Sequence, residues 1–429
     1  MILLDCLDRL NPLLSQCIPS YSPRHRFFGT GHYIKEILTK PFLLKKVPRR
    51  YGRYGWPVGC VKQFLSAQNS PEIIFITSGM TYWYPGVFEM IQLCKKLFPN
   101  VPVVLGGIYA TLCTEHARTK SGADYVLPGS SIEEALLMVS TISDYAPVEK
   151  NELSQWPAYD LYKQIDTAAI QTAVGCPFQC PFCASPILSP EFSRRNPEDV
   201  FKEIQYLYKE LMIHDIAFYD DALLLDCENH IIPILNKIID HDFNVRLHTP
   251  NGLHPRWIDG KLADLMFQSG FQTLRLSYES INPERQRAMG HKVTNSDLEN
   301  AVIHLKSAGF TSREVGGYVL MGLSDQTFEE VVESVLFVLS LGIRVSLASF
   351  SPIPGTESWK KAVGLGLIDR HMDPLLTNNS IFPMIPDPYK KRKFTQIGTL
   401  TARANQMLIH GESPLQNAEW RKQIRKLSG

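Results

Sequence analysis

Three cysteines fall close together at Cys176, Cys180 and Cys183, with the spacing C-x₃-C-x₂-C. The run is Thr172-Ala173-Val174-Gly175-Cys176-Pro177-Phe178-Gln179-Cys180-Pro181-Phe182-Cys183-Ala184-Ser185. Three thiolates in one tight loop suit a soft metal. A structural zinc site closes with a fourth protein ligand. The next His or Cys along the chain is His214, far outside this loop. A [4Fe–4S] cluster usually takes four cysteines. With three, one iron stays open to a nitrogen and an oxygen of a substrate. Such an iron serves catalysis and wastes a ligand position in a purely structural site. On spacing alone, a zinc-stabilised interaction module remains an alternative.

The other six of nine cysteines, Cys6, Cys17, Cys60, Cys94, Cys113 and Cys227, are scattered. Each reads as a small buried hydrophobe. Sparse cysteines in a long chain fit a reducing, cytoplasmic setting rather than a disulfide scaffold. The chain has 429 residues, 44% apolar and 20% charged, with a net charge of +1. That is a globular composition with no global basic field for nucleic acid. No apolar run is long enough to span a membrane.

The elements that must position the cysteines follow from the pattern. Residues 1–145 alternate short apolar runs with helical stretches. The runs are Ile2–Asp5, Ile73–Ile76, Val101–Leu105 and Asp124–Leu127. Three of them end in small or polar residues: Thr77-Ser78-Gly79, Gly106-Gly107 and Pro128-Gly129-Ser130-Ser131. The helical stretches include Gly86–Leu97 and Ile132–Ser140. This is the grammar of a Rossmann-like, flavodoxin-like parallel sheet, whose ligands sit beyond the carboxyl ends of the strands. The connection from Asp8 to Trp56 is long and carries the basic run Lys45–Tyr51. Residues 146–164 read as a linker.

From 165 to 365 a strand–helix rhythm repeats about six times, so a partial (β/α)₆ barrel is expected. Helices ending at Gly270, Gly309 and Gly342 pass into strands Phe271–Ser277, Glu314–Leu320 and Val345–Phe350. Asn196-Pro197 reads as a helix start, with Val200, Ile204, Leu207 and Leu211 on one face. Thr327-x-x-Glu330 reads as a capping box. Residues 366–429 lack the alternation and read as a helical C-terminal extension.

With these elements around it, the triplet resembles that of the radical S-adenosylmethionine (SAM) superfamily. The resemblance spans about residues 165–360. It implies that Cys176, Cys180 and Cys183 hold a [4Fe–4S] cluster whose open iron is chelated by SAM. It places Phe182 near the adenine. Asp220, in Asp215-Ile216-Ala217-Phe218-Tyr219-Asp220-Asp221, becomes the first choice for the SAM amino group. Ser277 and Glu279, expected on one strand face, would lie near the ribose and amino-acid portion. Gly322 belongs to a turn that resembles the family's glycine turn, with Ser324 where proline is common. Ile353, in Phe350–Thr356, would border the adenine through its backbone. No individual catalytic residue is assigned.

The first 145 residues resemble the cobalamin-binding domain of one large subgroup. Thr77, Ser78, Gly106 and Gly107 carry that likeness, as strand ends against which a corrin ring could lie. The Asp-x-His-x-x-Gly signature of a histidine-ligated cobalt is absent from this region. Two readings therefore stand. One is cobalamin-dependent C-methylation. The other is hydrogen abstraction by a radical SAM enzyme without functional cobalamin. Either implies an external electron donor such as flavodoxin or ferredoxin, and a small-molecule or peptide substrate of unknown identity. Nucleic acid is disfavoured as a partner.

Overall fold

The computed structural model describes residues 1–23, 31–143, 156–381, 383–385 and 387–428. The greater part of the expected linker, 144–155, lies outside the described residues. The chain divides into two compact units. The first holds Met1–Asp166 together with His371–Ile381; the second holds Thr167–Arg370 with the chain from 382 onward.

The first unit contains a parallel sheet of β1 (Ile74–Ile76), β2 (Val103–Leu105) and β3 (Tyr125–Val126), in that order. The helix Tyr84–Leu97 lays Val87, Ile91 and Cys94 against the sheet. Ile2–Asp5 is not a strand, contrary to the sequence expectation. Met1, Ile2 and Leu3 are exposed. The physical reason lies in the acids that follow. Asp5 accepts from Leu7 N at 2.8 Å and Asp8 from Leu10 N at 2.9 Å. These local turns compete with a strand ladder. Trp56 then closes a separate small core with Leu14, Cys60 and Val61. The connection before Trp56 is partly folded. It carries the helix Leu13–Cys17 and an antiparallel ribbon of Lys35–Ile37 with Gly52–Tyr54.

The second unit is built on six parallel strands in chain order. They are β4 (Thr167–Ile170), β5 (Asp215–Phe218), β6 (Arg246–His248), β7 (Phe271–Glu279), β8 (Val315–Met321) and β9 (Arg344–Ser349). This is the expected partial barrel. Asn196 caps the helix Pro197–Lys209 by accepting from Glu198 N. Val200, Ile204 and Leu207 are buried from that helix, whereas Leu211 lies past its end. Thr327 caps the helix Phe328–Ser340. The capping box is only half made, because the Glu330 carboxylate turns to Arg285 Nε and Ser280 Oγ, both at 2.5 Å. The full box forms instead at Thr294 and Asp297. The tail folds into the helices Pro388–Ile409 and Ala418–Ser428.

The turn into β7 needs Gly270. Its φ is +90°, and an added Cβ would meet Val245 O at 2.3 Å. Gly270→Ala should lower stability by at least about 2 kcal/mol, from left-handed strain plus the clash. Gly398→Ala, where a Cβ meets nothing within 4 Å, should stabilise by up to about 1 kcal/mol. Urea unfolding of the two variants checks this. Equal midpoints would show the β6–β7 turn is not under this constraint.

Candidate metal centre and cofactor sites

The cysteine loop leaves β4 at the carboxyl edge of the six-stranded sheet. Ala173–Val174 pairs with Ser193–Arg194 and closes the loop's base. Ser358 N donates to Pro181 O at 2.8 Å and fastens its middle. The three thiols are free. Cys180 Sγ lies 3.4 Å from Met289 O, and Cys183 Sγ 3.2 Å from Ser185 Oγ. Ser185 Oγ in turn donates to Asp221 Oδ2 at 2.7 Å. Burial pushes the Cys176 thiol up to about 11 and raises that of Cys180. Among the described residues, no three His, Cys, Asp or Glu side chains gather as ligands of a single metal ion. Elsewhere, Cys60 and Cys94 are buried as expected, while Cys6, Cys17, Cys113 and Cys227 are only half-buried.

Asp220 is buried at the end of β5. Its Oδ1 accepts from Thr172 N at 2.9 Å, Thr172 Oγ1 at 2.7 Å and Ala173 N at 2.6 Å. Its Oδ2 is buried with no partner. Burial pushes the carboxyl up to about 6 against these three bonds. One oxygen thus anchors the start of the cysteine loop and the other remains free. His230 Nε2 lies 2.8 Å from Thr172 Oγ1. The Thr172 hydroxyl donates to Asp220, so a neutral His230 donates to the hydroxyl. Burial pushes His230 down to about 4, which keeps it neutral.

Glu279 ends β7 in a left-handed conformation, φ +73°. The strand is bulged here: Ser277 pairs with Tyr318, and Glu279 already with Val319. The simple alternation expected for Ser277 and Glu279 therefore breaks between them. Tyr278 is the extra residue; it is fully buried and donates to Asn295 Oδ1 at 2.6 Å. Glu279 Oε1 is 3.3 Å from Lys292 Nζ, and both side chains are buried. Lys292 Nζ lies 5.5 Å from the centre of the Phe182 ring. Ser277 is buried, with its Oγ against Gly252. Gly322 N donates to Gln326 Oε1 at 2.9 Å in the turn after β8, so Gln326 closes that turn. Ile353 O accepts from Thr356 Oγ1 at 2.8 Å in the turn after β9.

The fold therefore gathers Phe182, Cys180, Cys183 and Glu279, and distributes Ser277, Gly322 and Ile353 over neighbouring strand ends. Sequence reasoning missed Lys292 and Met289. No local pattern marks them, because their partners are remote in sequence or on other elements.

In the first unit, Gly106 and Gly107 line a shallow, open cavity of about 430 Å³ at the carboxyl ends of the strands, with Leu127, Ser131 and Ala135. Thr77 and Ser78 are packed under Gly107 instead. A Cβ on Gly107, at φ +81°, would sit 2.2 Å from Thr77 Oγ1. Gly107 is thus required for close packing. Gly129 also lines the cavity, and a Cβ there would meet nothing within 4 Å.

Residues 170–338 match the radical SAM superfamily. That segment is a radical SAM domain, of a kind that works with a [4Fe–4S] cluster and SAM. The chain is 26% identical over 373 residues to an uncharacterized methyltransferase of Pyrococcus horikoshii, covering 78% of each chain. It is 25% identical over 306 residues to an uncharacterized methyltransferase of Synechocystis, covering 67% of this chain and 55% of that protein. Its fold is that of TsrM, a radical SAM methyltransferase from Kitasatospora setae (TM-score 0.60, 19% identity, 71% of this chain and 67% of that one). It is also that of OxsB, a cobalamin-dependent SAM radical enzyme (TM-score 0.58, 11% identity, 85% of this chain and 67% of that one). Three free thiols in one loop beside a buried ammonium are a donor set that fits an iron–sulfur cluster. Among the described residues no helix is long and apolar enough to cross a membrane.

Two predictions follow from this geometry. Cys176→Ala, Cys180→Ala and Cys183→Ala, each reconstituted anaerobically with iron and sulfide, should lose iron and cluster absorbance, while Cys60→Ala and Cys227→Ala keep both. Full iron loading in any triplet variant would remove that cysteine from the ligand set. The second concerns pH. His230 has its pKa depressed on folding, so its contribution is complete above pH about 6.5 and is lost as pH falls toward 4. Asp220, pushed up to about 6, works in the opposite sense and loses its contribution as pH rises. Unfolding midpoints between pH about 6.5 and 4 should fall less steeply for His230→Gln than for the parent, by about 2 kcal/mol over the window. Parallel slopes would show that His230 does not titrate in this range.

Proposed function

We propose that the protein is a cobalamin-dependent radical SAM methyltransferase that places a methyl group on an unactivated carbon. The observation that carries this reading is the parallel-sheet unit ahead of the cysteine-bearing sheet, with its cavity at the strand ends. The methyltransferase names of the relatives and the fold shared with TsrM and OxsB support it. When bound, the cluster and SAM supply one-electron radical chemistry and cobalamin supplies a methyl carrier.

The chain's own residues position these groups. Cys176, Cys180 and Cys183 supply thiolates for three irons. Glu279 and the free Oδ2 of Asp220 are the acceptors for the SAM ammonium, a charge-assisted contact. Phe182, Ser277, Gly322 and Ile353 border the nucleoside. Gly106, Gly129, Ser130 and Ala135 line the cavity for cobalamin, where small side chains let a ligand approach the backbone. Thr77 and Ser78 support Gly107 from beneath rather than lining that space. No histidine is assigned to the cobalt. The electron arrives from an external carrier such as flavodoxin or ferredoxin.

The test targets the cavity and spares the packed glycine. Hydroxocobalamin should bind the wild-type protein with a base-off spectrum, or one with water beneath the cobalt. Ala135→Trp should weaken that binding at least about tenfold by filling the space, a loss of about 1.4 kcal/mol, with iron content unchanged. Turnover with methyl-deuterated SAM should give both S-adenosylhomocysteine and 5′-deoxyadenosine. If 5′-deoxyadenosine forms alone and no cobalamin is retained at micromolar concentration, the enzyme performs another hydrogen-abstraction reaction.

A further inference from the structure

The loop between the helices Pro283–Ala288 and Asn295–Ser307 reaches the cysteines at two points. Met289 gives its carbonyl to Cys180. Three residues on, Lys292 turns inward, after Gly290 at φ +86° and His291 at φ +49°. Its side chain is 8% exposed. A buried ammonium is costly unless it is paired. Glu279 supplies the pair at 3.3 Å, and the Phe182 ring a cation–π face at 5.5 Å. The backbone of Glu279 is itself left-handed. Both partners are thus held by unusual backbone, which fixes where the charge sits.

The ion pair is not neutral as seen from the loop. At Cys180 the positive charge of Lys292 acts more strongly than the negative charge of Glu279. Lys292 also feels Cys183. At Cys180 the pair therefore acts as a net cation.

We propose that Lys292 is a positioning residue for electrons: its ammonium, anchored by Glu279 and Phe182, raises the reduction potential of the cluster held by Cys176, Cys180 and Cys183. Reduction moves one electron from an external donor onto the cluster. No bond breaks and no proton transfers. The cluster becomes more negative by one charge, and a fixed cation beside it stabilises that state. This inference rests on the cluster assignment and is independent of cobalamin.

The test uses the full chain, reconstituted anaerobically and titrated with dithionite without SAM, with the reduced cluster read by electron paramagnetic resonance. At the wild-type midpoint, Lys292→Met should lower the ratio of reduced to oxidised cluster about tenfold, a shift of about 59 mV for a one-electron couple. Lys292→Arg should keep the wild-type midpoint. Lys292→Met strands a buried Glu279, so Lys292→Met/Glu279→Gln serves where the single variant does not fold. It should still titrate below wild type. An unchanged midpoint in a fully iron-loaded Met or double variant overturns the proposal. So does a loss confined to SAM affinity. Absence of iron in the wild-type protein itself would instead overturn the cluster assignment.

Discussion

Parallel strands that run in chain order force every strand-to-helix loop onto one edge of the sheet. In the second unit six strands follow this order, each lying beside the next in the chain. The cysteine loop after β4, Asp220 after β5, Glu279 at the end of β7, Gly322 after β8 and Ile353 after β9 therefore share that edge. Residues as far apart in the chain as Cys176 and Ile353 thus lie along one edge of one sheet. Local devices such as the Gly270 turn and the Thr294–Asp297 capping box shape the turns and helix starts between these strands.

Charge placement then decides what the edge can do. Its acids are used differently. Asp220 spends one oxygen on three donors at the base of the cysteine loop and keeps the other free. Glu279 is paired with a buried ammonium. Glu330, which looks like a cap from its spacing, is committed to Arg285 and Ser280. Buried charges are tolerated only with partners. The pairings therefore say which acids hold the structure and which retain an oxygen for a ligand.

The first unit follows the same rule on a smaller scale. Three parallel strands put Gly106, Gly107 and the Gly129–Ser131 turn around one cavity. Gly107 shows how a glycine at such an edge can serve packing and line a cavity at once. Its missing Cβ is taken up by Thr77.

Much of the fold was legible in the sequence. The C-x₃-C-x₂-C spacing marked the loop as a candidate soft-metal site, because ligand chemistry depends on residue type and short separation. The (β/α) rhythm from 165 to 350 marked the sheet, because each unit carries its own hydrophobic period and its own glycine stop. Where local geometry competed with period, the sequence misled. Ile2–Asp5 reads as a strand, yet the side chains of Asp5 and Asp8 draw the backbone into turns. Ser277 and Glu279 read as one face, yet a bulge at Tyr278 separates them. Lys292 left no signal at all. A lysine in a loop is ordinary until folding buries it against an acid 13 residues earlier in the chain and a phenylalanine from another strand end. The sequence by itself determined the ligand chemistry and the order of the elements, since both reside in residue types and short-range periods. Only the tertiary structure decided which charges meet, because burial and pairing are properties of residues brought together from distant parts of the chain.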